Sequence, residues 1–299
     1  GMARSGVLTM RMTILGAGFS GRAIARICAA DFSSIFGTTR SETNFPLLDK
    51  AGIRPLIFDG LAISGELRAA LAETTHLVQS IAPEEDGDGF LKLVPTLRQL
   101  MPNLKWAGYL STVGVYGDRQ GGWVDETSEV APVSDRSRER VVAENQWLAA
   151  GERENVPVAV LRLSGIYGPG RNPFINLENG TARRIVKKDQ VFNRIRVEDI
   201  GRVTAFLIGR GLGGIYNVTD SLPWATQDTV EYAARLMGVE VPPDIPFETA
   251  QLSPMQRSFY GENKRVSNAR LRSLGFEFLY PDFRVSLDQM WKDQCWRSE

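Results

Sequence analysis

Apolar positions come in short runs separated by longer stretches of mixed polarity, and that alternation predicts the elements. Residues 12–15 form a compact apolar run that reads as a buried strand, a glycine-rich turn follows, and a helix is predicted over about 20–30. "SSIFGTTRS" gives a second strand ending near Gly37, and "GIRPLIFDG" gives a third. "SGELRAALAET" is then a helix and "THLVQSIAP" a fourth strand. "GDGFLKLVPTLRQLMPNL" is a helix with Pro95 either near its start or kinking it. "KWAGYLSTVGVYG" and "VPVAVLRLSGIYGPG" are the fifth and sixth strands. Strands alternating with helices predict a parallel sheet covered on both faces, an α/β fold.

The later pattern is less regular. "NRIRVEDIGRVTAFLIGR" reads as a short strand and a helix, and "GGIYNVTD" as a strand. "ATQDTVEYAARLMG" reads as a helix with Thr226 in the capping position. The proline-bearing 241–256 stretch reads as a loop, and "VSNARLRSLGF" as a short helix closed by Gly275. Trp291 and Trp296 read as packing residues. The organisation predicted is a doubly wound Rossmann domain over 10–170 plus 196–220. A smaller C-terminal substrate lobe would be built from 171–195 plus 221–299.

Composition narrows the function classes. In 299 residues, 43% are hydrophobic and 23% charged, and 35 Lys+Arg balance 35 Asp+Glu, so no basic face for nucleic acid is indicated. No stretch reaches the roughly 20 apolar residues of a membrane span. Gly1-Met2 reads as an expression remnant before a native start, and the following residues are no convincing signal peptide. The two cysteines, Cys28 and Cys295, are far apart and make neither a disulfide framework nor a zinc pattern, so a cytoplasmic location is expected. The single histidine, His76, at the start of an apolar run, reads as structural.

The "GAGFSG" loop carries the first candidate chemistry. Gly16-x-Gly18-x-x-Gly21 lies between a predicted strand and a predicted helix, the setting in which this spacing binds a dinucleotide. Gly16 makes the tight turn, Gly18 admits a pyrophosphate to the backbone, and Gly21 lets the helix pack on the strand. Phe19 and Ser20 within the loop, and Ala82 after the fourth strand, are taken as further cofactor contacts. The alternative is a tight strand-helix turn with no ligand. At the second strand's tip, "TTRS" offers Thr39, Arg40 and Ser41 and no carboxylate, with Glu42 beyond the tip, which suits the 2′-phosphate of NADP better than the ribose hydroxyls of NAD. Asp59, ending the third strand, is either an adenine contact or a turn residue before Gly60.

"STVGVYG", "VDETSEVAPVS", "LRLSGIYGPG", "RIRVEDIGR" and "YNVTD" follow in an order that resembles the extended short-chain dehydrogenases/reductases, the nucleotide-sugar epimerases and dehydratases. The resemblance covers nearly the whole chain. It implies a catalytic hydroxyl at Thr112, preceded by Ser111. It also implies a P-x-S-x-Y-G-x-S-K-x-x-x-E motif, which here runs from Pro132 through Ser134 to Glu144 with Arg136 at the tyrosine position and Arg140 at the lysine position. The family's tyrosine is a general acid/base, whereas a guanidinium does not titrate in the useful range. Arg140 can still hold the nicotinamide ribose, and Arg136 can bind a substrate anion. Otherwise both lie on a solvated helix face paired with Glu139 and Glu144.

A substitute proton donor is Tyr116, lowered by Arg136. Tyr167 also sits in a family motif, while Tyr109 reads as core. The basic residues Arg171, Arg183, Arg184, Lys187 and Lys188 suit a phosphorylated or nucleotide substrate, or else a solvated loop. Val197 and Asp199 are placed at a hinge between lobes. The expectation is an NADP(H)-dependent oxidoreductase or epimerase with altered acid/base chemistry, acting on a small molecule such as a nucleotide sugar or another anionic compound. It would be a monomer or homodimer with no metal. The alternative is an inactive cofactor-binding sensor or scaffold.

Overall fold

The computed structural model describes residues 10–299, and Gly1-Met2 and the rest of that N-terminal stretch lie outside them. The described residues divide into two compact units: 10–112, 135–162 and 200–216 form the first, and 113–134, 163–199 and 217–299 the second. Segments 113–134 and 163–170, expected in the dinucleotide domain, thus group with the second unit.

The first unit is built on a seven-stranded sheet. Its strands are β1 (Arg11–Leu15), β2 (Ser34–Thr39), β3 (Arg54–Ile57), β4 (His76–Gln79), β5 (Trp106–Thr112), β6 (Val158–Leu163) and β7 (Gly214–Val218). Their order is β7-β6-β5-β4-β1-β2-β3. β1 pairs in parallel with β2 and β4, β2 with β3, and β4 with β5. This is the doubly wound arrangement, and its strand order reverses between β1 and β4, where such folds hold ligands at the strands' carboxyl ends. All of β6 and nearly all of β5 are buried, as a sheet covered on both faces requires. One face packs Leu15, Leu77, Tyr109 and Val160 against Trp147 and Ala150 of the helix α3 described below. Trp147 stacks on Phe90 and Tyr109, with ring centroids 6.4 Å apart in each case.

Helix α1 (Phe19–Cys28) follows β1, α2 (Gly65–Glu73) precedes β4, α3 (Asp135–Glu154) precedes β6, and α4 (Val197–Arg210) precedes β7. Ser64 caps α2 by accepting from the Leu67 N–H. Pro95 does more than kink its segment: helices Gly89–Leu93 and Leu97–Leu100 are separate, because the residue before a proline is driven from helical geometry, and Val94 sits at φ −130° and ψ 76°. His76 is buried on β4, edge-on to Phe32, and bonded through Nδ1 to the Thr75 hydroxyl at 2.8 Å. Burial lowers its pKa to about 4. Cys28 is buried too, and burial pushes its thiol up to about 12.

The second unit has its own apolar core, in which Phe174, Phe283, Leu287, Met290 and Trp296 pack together, with Trp291 beside Phe174. The sixth predicted strand is two elements: β6 ends at Leu163, and Gly165–Tyr167 instead pairs in parallel with Arg194–Arg196. The helix Thr226–Met237 is capped by Ala225 without a side-chain bond, so Thr226 is its first residue and not its cap. The expected 241–256 loop contains the strand Asp244–Pro246, paired with Arg184–Val186, and the start of the helix Pro254–Phe259, which carries a Ser253/Gln256 capping box. Short polar segments of this kind carry too little periodicity to read. No helix among the described residues is long and apolar enough to cross a membrane.

Candidate cofactor-binding and catalytic site

In the first unit the three loop glycines have separate physical reasons. Gly16 takes φ +78°, and a Cβ there would lie 2.8 Å from the Ile81 side chain. Gly21 has the Ile14 side chain 3.0 Å from where its Cβ would be, so α1 packs tightly on β1. Gly18 caps α1 with no side-chain bond, and a Cβ there would meet nothing within 4 Å. Open space therefore lies before the positive end of α1, as a pyrophosphate requires. Phe19 and Ser20, the first two residues of α1, are buried. Thr38 fixes the loop: its hydroxyl accepts from Gly16 N at 2.8 Å and its carbonyl from Ala17 N at 2.8 Å.

β2 runs to Thr39, two residues past its expected end, because Thr38 and Thr39 pair with Leu56 and Ile57 of β3. At its tip, Thr39 accepts from Asn44 Nδ2 at 2.9 Å, and Ser41 caps the turn Glu42–Asn44. Arg40 is exposed and makes no hydrogen bond or ion pair among the described residues. Asp59 is a turn residue, its Oδ1 accepting from Leu61 N at 2.7 Å and Ala62 N at 3.3 Å. Those donors hold its carboxyl below the usual range, with a smaller contribution from the Arg40 charge. Ala82 is exposed just beyond β4, after Ile81, whose N–H is held by Gln79 Oε1 at 2.9 Å.

Thr112 is the last residue of β5 and only half-buried. Arg136 lies in the first turn of the 20-residue α3, partly buried, adding its charge to the positive end of the helix. One turn on, Arg140 is tied to β5: its Nη1 donates to the Leu110 carbonyl at 2.9 Å and to the Tyr109 hydroxyl at 3.3 Å. Its Nε and Nη2 make no hydrogen bond among the described residues. Tyr109 is fully buried, and desolvation drives its hydroxyl up to about 12 against the opposing pull of Arg140.

Glu144 does not serve the two arginines, as the solvated-face alternative had it. It is buried, faces Arg162 of β6 at 2.8 Å and 3.2 Å, and accepts from the Ser111 hydroxyl. The network joins α3 to β5 and β6 through Ser111, the residue before Thr112. Its sequence signal was an arginine inside an otherwise apolar buried strand, which demands a paired acid.

In the second unit Tyr116 is fully buried, and its hydroxyl donates to Asn217 Oδ1 at 2.6 Å. The Asp199 carboxylate accepts from Leu279 N at 3.1 Å and Tyr280 N at 2.9 Å. Much of the basic stretch is engaged internally. Arg184 pairs with Asp244 and Glu231, Arg183 donates to the Gln251 carbonyl at 2.7 Å, and Lys187 donates to the Tyr260 carbonyl at 2.5 Å. No group of three or more metal-ligating side chains occurs among the described residues.

Comparison with known proteins agrees with this geometry. The model of the NAD dependent epimerase/dehydratase family matches residues 12–188. The chain belongs to this family. Among curated proteins, Protein YeeZ of Escherichia coli K12 is 28% identical over 285 residues, covering 91% of this chain and 97% of YeeZ. A functionally unknown conserved protein from Silicibacter pomeroyi has a solved structure that is 41% identical, with TM-score 0.87, covering 96% of this chain and 99% of that one. The human epimerase family protein SDR39U1, solved with NADPH, shares the fold at 18% identity and TM-score 0.71, over 95% of this chain and all of its own. Membership in the family is consistent with the Rossmann sheet and glycine loop, and it leaves the roles of Arg136 and Arg140 to be argued from their own chemistry.

Proposed function

We propose that this family member binds NADP(H) and works as a cytoplasmic oxidoreductase or epimerase on a small anionic substrate, a nucleotide sugar among the candidates. The observation that carries the cofactor reading is the pairing of an open glycine cradle at Gly18 with an unpaired guanidinium at Arg40. The cradle would take the pyrophosphate, and Arg40 with Ser41 and Thr39 would take a 2′-phosphate through charge-assisted hydrogen bonds. When bound, a nicotinamide supplies reversible hydride transfer.

The chain's own residues would do the rest. The Thr112 hydroxyl donates to a substrate oxygen as negative charge develops there. Arg140, anchored at the end of β5, keeps a permanent positive charge there and has donors to spare for ribose hydroxyls. Arg136 binds an anionic group of the substrate. Neither arginine can exchange a proton near neutrality, so the proton that a reduced carbonyl oxygen takes up comes from water. The Tyr116 hydroxyl is committed to Asn217 and is not assigned that role.

The same replacement of tyrosine and lysine favours a second reading, a sensor or scaffold that binds NADP(H) without turnover. The test is titration of the purified protein with NADPH and NADH, followed by a screen of nucleotide sugars and simple carbonyls. Turnover with any of them supports the enzyme. Binding without turnover, unaltered in Arg136→Tyr/Arg140→Lys, supports the sensor, and no binding of either nucleotide overturns both.

A further inference from the structure

The second unit contains a cavity of about 230 Å³ walled by Ile166, Pro173, Phe283 and Leu287, with Tyr167, Arg194 and Thr229 as polar members of its lining. Arg194 reaches it from the strand Arg194–Arg196, paired with Gly165 of the neighbouring strand. Two arginines on this strand stand on one face, two residues apart, and their surroundings differ. Arg196 is fully neutralised: it pairs with Glu198, donates to Gln289 Oε1 at 2.8 Å and to the Ser286 hydroxyl at 3.1 Å, and stacks 3.9 Å over Tyr280. Arg194 has only neutral acceptors, the Trp224 carbonyl at 3.1 Å, the Thr226 hydroxyl at 3.3 Å and the Phe192 carbonyl at 3.4 Å. It makes no ion pair among the described residues, and its guanidinium lies 5.7 Å from the Phe283 ring.

The nearest candidate counter-charge does not serve it. Asp220 donates its backbone N–H to the Arg194 carbonyl at 2.7 Å, yet its carboxylate turns to Leu222 N at 2.9 Å, and its Oδ2 is buried without a partner. Burial holds that carboxyl protonated to about pH 8. The charges of Asp220 and Asp228 act on Arg194, yet neither carboxyl reaches it as an ion pair among the described residues, so a guanidinium at the wall of this cavity lacks a paired counter-ion. Four apolar walls disfavour a hydrated inorganic anion and favour an apolar body behind the charged group.

We propose that this cavity binds a small carboxylate with a compact apolar body, the carboxylate on Arg194 and the body between Ile166, Pro173, Phe283 and Leu287. The site stands apart from the cofactor reading, because no residue of the glycine loop, nor Thr112, Arg136 or Arg140, is among its walls.

Isothermal titration of the full chain with 3-phenylpropanoate, without nucleotide, tests it against the neutral 3-phenylpropanamide. The acid is expected to bind saturably and at least about tenfold more tightly than the amide. Arg194→Met is expected to weaken the acid about tenfold or more and leave the amide unchanged. Ile166→Trp, at the partly exposed edge of the cavity, is expected to weaken both. The proposal is overturned by equal binding of acid and amide, by acid binding that survives both variants, by displacement of the acid by inorganic phosphate at equal concentration, or by no saturable binding of the acid. The acid–amide comparison uses the unaltered protein, so it decides the matter even where Arg194→Met fails to fold.

Discussion

Replacing Arg40 with Ala should convert a binder that prefers NADPH into one that does not distinguish it from NADH. Arg40 stands exposed at the end of β2 and gives up no internal partner to meet a ligand, so the whole interaction is available for binding. A 2′-phosphate carries a charge between one and two at neutral pH. Each unit pair at 4 Å in water contributes roughly 1 kcal/mol, and a charge-assisted hydrogen bond adds about 1.5 kcal/mol or more. Discounted for solvent screening at an exposed site, about 2–3 kcal/mol remains, which is about 30- to 150-fold in Kd. NADH lacks the phosphate and should bind the variant as it binds the parent. Arg40→Lys should keep part of the preference, since it retains the charge and loses the fork. The assay is nucleotide-fluorescence titration of both cofactors at low and high salt, and the NADPH preference of the parent should shrink as salt rises. Equal losses for NADPH and NADH, or no loss for either, would refute the assignment of Arg40 to the 2′-phosphate.

Gly18→Asp should abolish nucleotide binding without lowering Tm, because its φ of −82° is open to any residue, an added Cβ meets nothing within 4 Å, and an Asp cap suits α1; a fall in Tm would show the loop to be structural only. Tyr116→Phe should leave turnover unchanged and cost about 1–3 kcal/mol in denaturant unfolding, since the buried Asn217 Oδ1 loses its donor; a large fall in turnover would return Tyr116 to the chemistry. Arg162→Met should destabilise by about 3–5 kcal/mol by stranding Glu144, and Glu144→Leu/Arg162→Met should recover much of it; additive losses in the double variant would mean the pair is not coupled. Asp220 has its pKa raised from 3.8 to about 8, so the folded state holds a proton that the unfolded chain has released, and stability falls as pH rises across that window and levels off above it. Asp220→Asn should remove that decline, and its midpoint advantage in urea should widen from pH 5 to pH 8; parallel curves would count against it.

The glycine loop was legible in sequence because its requirement is local. One left-handed turn, one open position and one close approach each demand glycine at fixed spacing, and Gly16, Gly18 and Gly21 meet those demands in turn. The β-α alternation was legible for a similar reason, since buried parallel strands are apolar throughout. Element ends were less legible. β2 gained Thr38 and Thr39 from pairing with β3, and Thr38 then became the anchor of the loop through a contact 22 residues away in sequence.

Sequence alone also puts arginines at positions 136 and 140, where the motif of the resemblance has a tyrosine and a lysine, because that is a matter of residue identity. It could not say what stands around the arginines. Only the tertiary structure assigned Glu144 to Arg162, tied Arg140 to the Leu110 carbonyl, committed the Tyr116 hydroxyl to Asn217 and left Arg40 and Arg194 without ion pairs among the described residues. The reason is physical. A side chain's charge is written in the sequence, but whether it is paired or free depends on partners brought within hydrogen-bonding distance by the packing of distant segments.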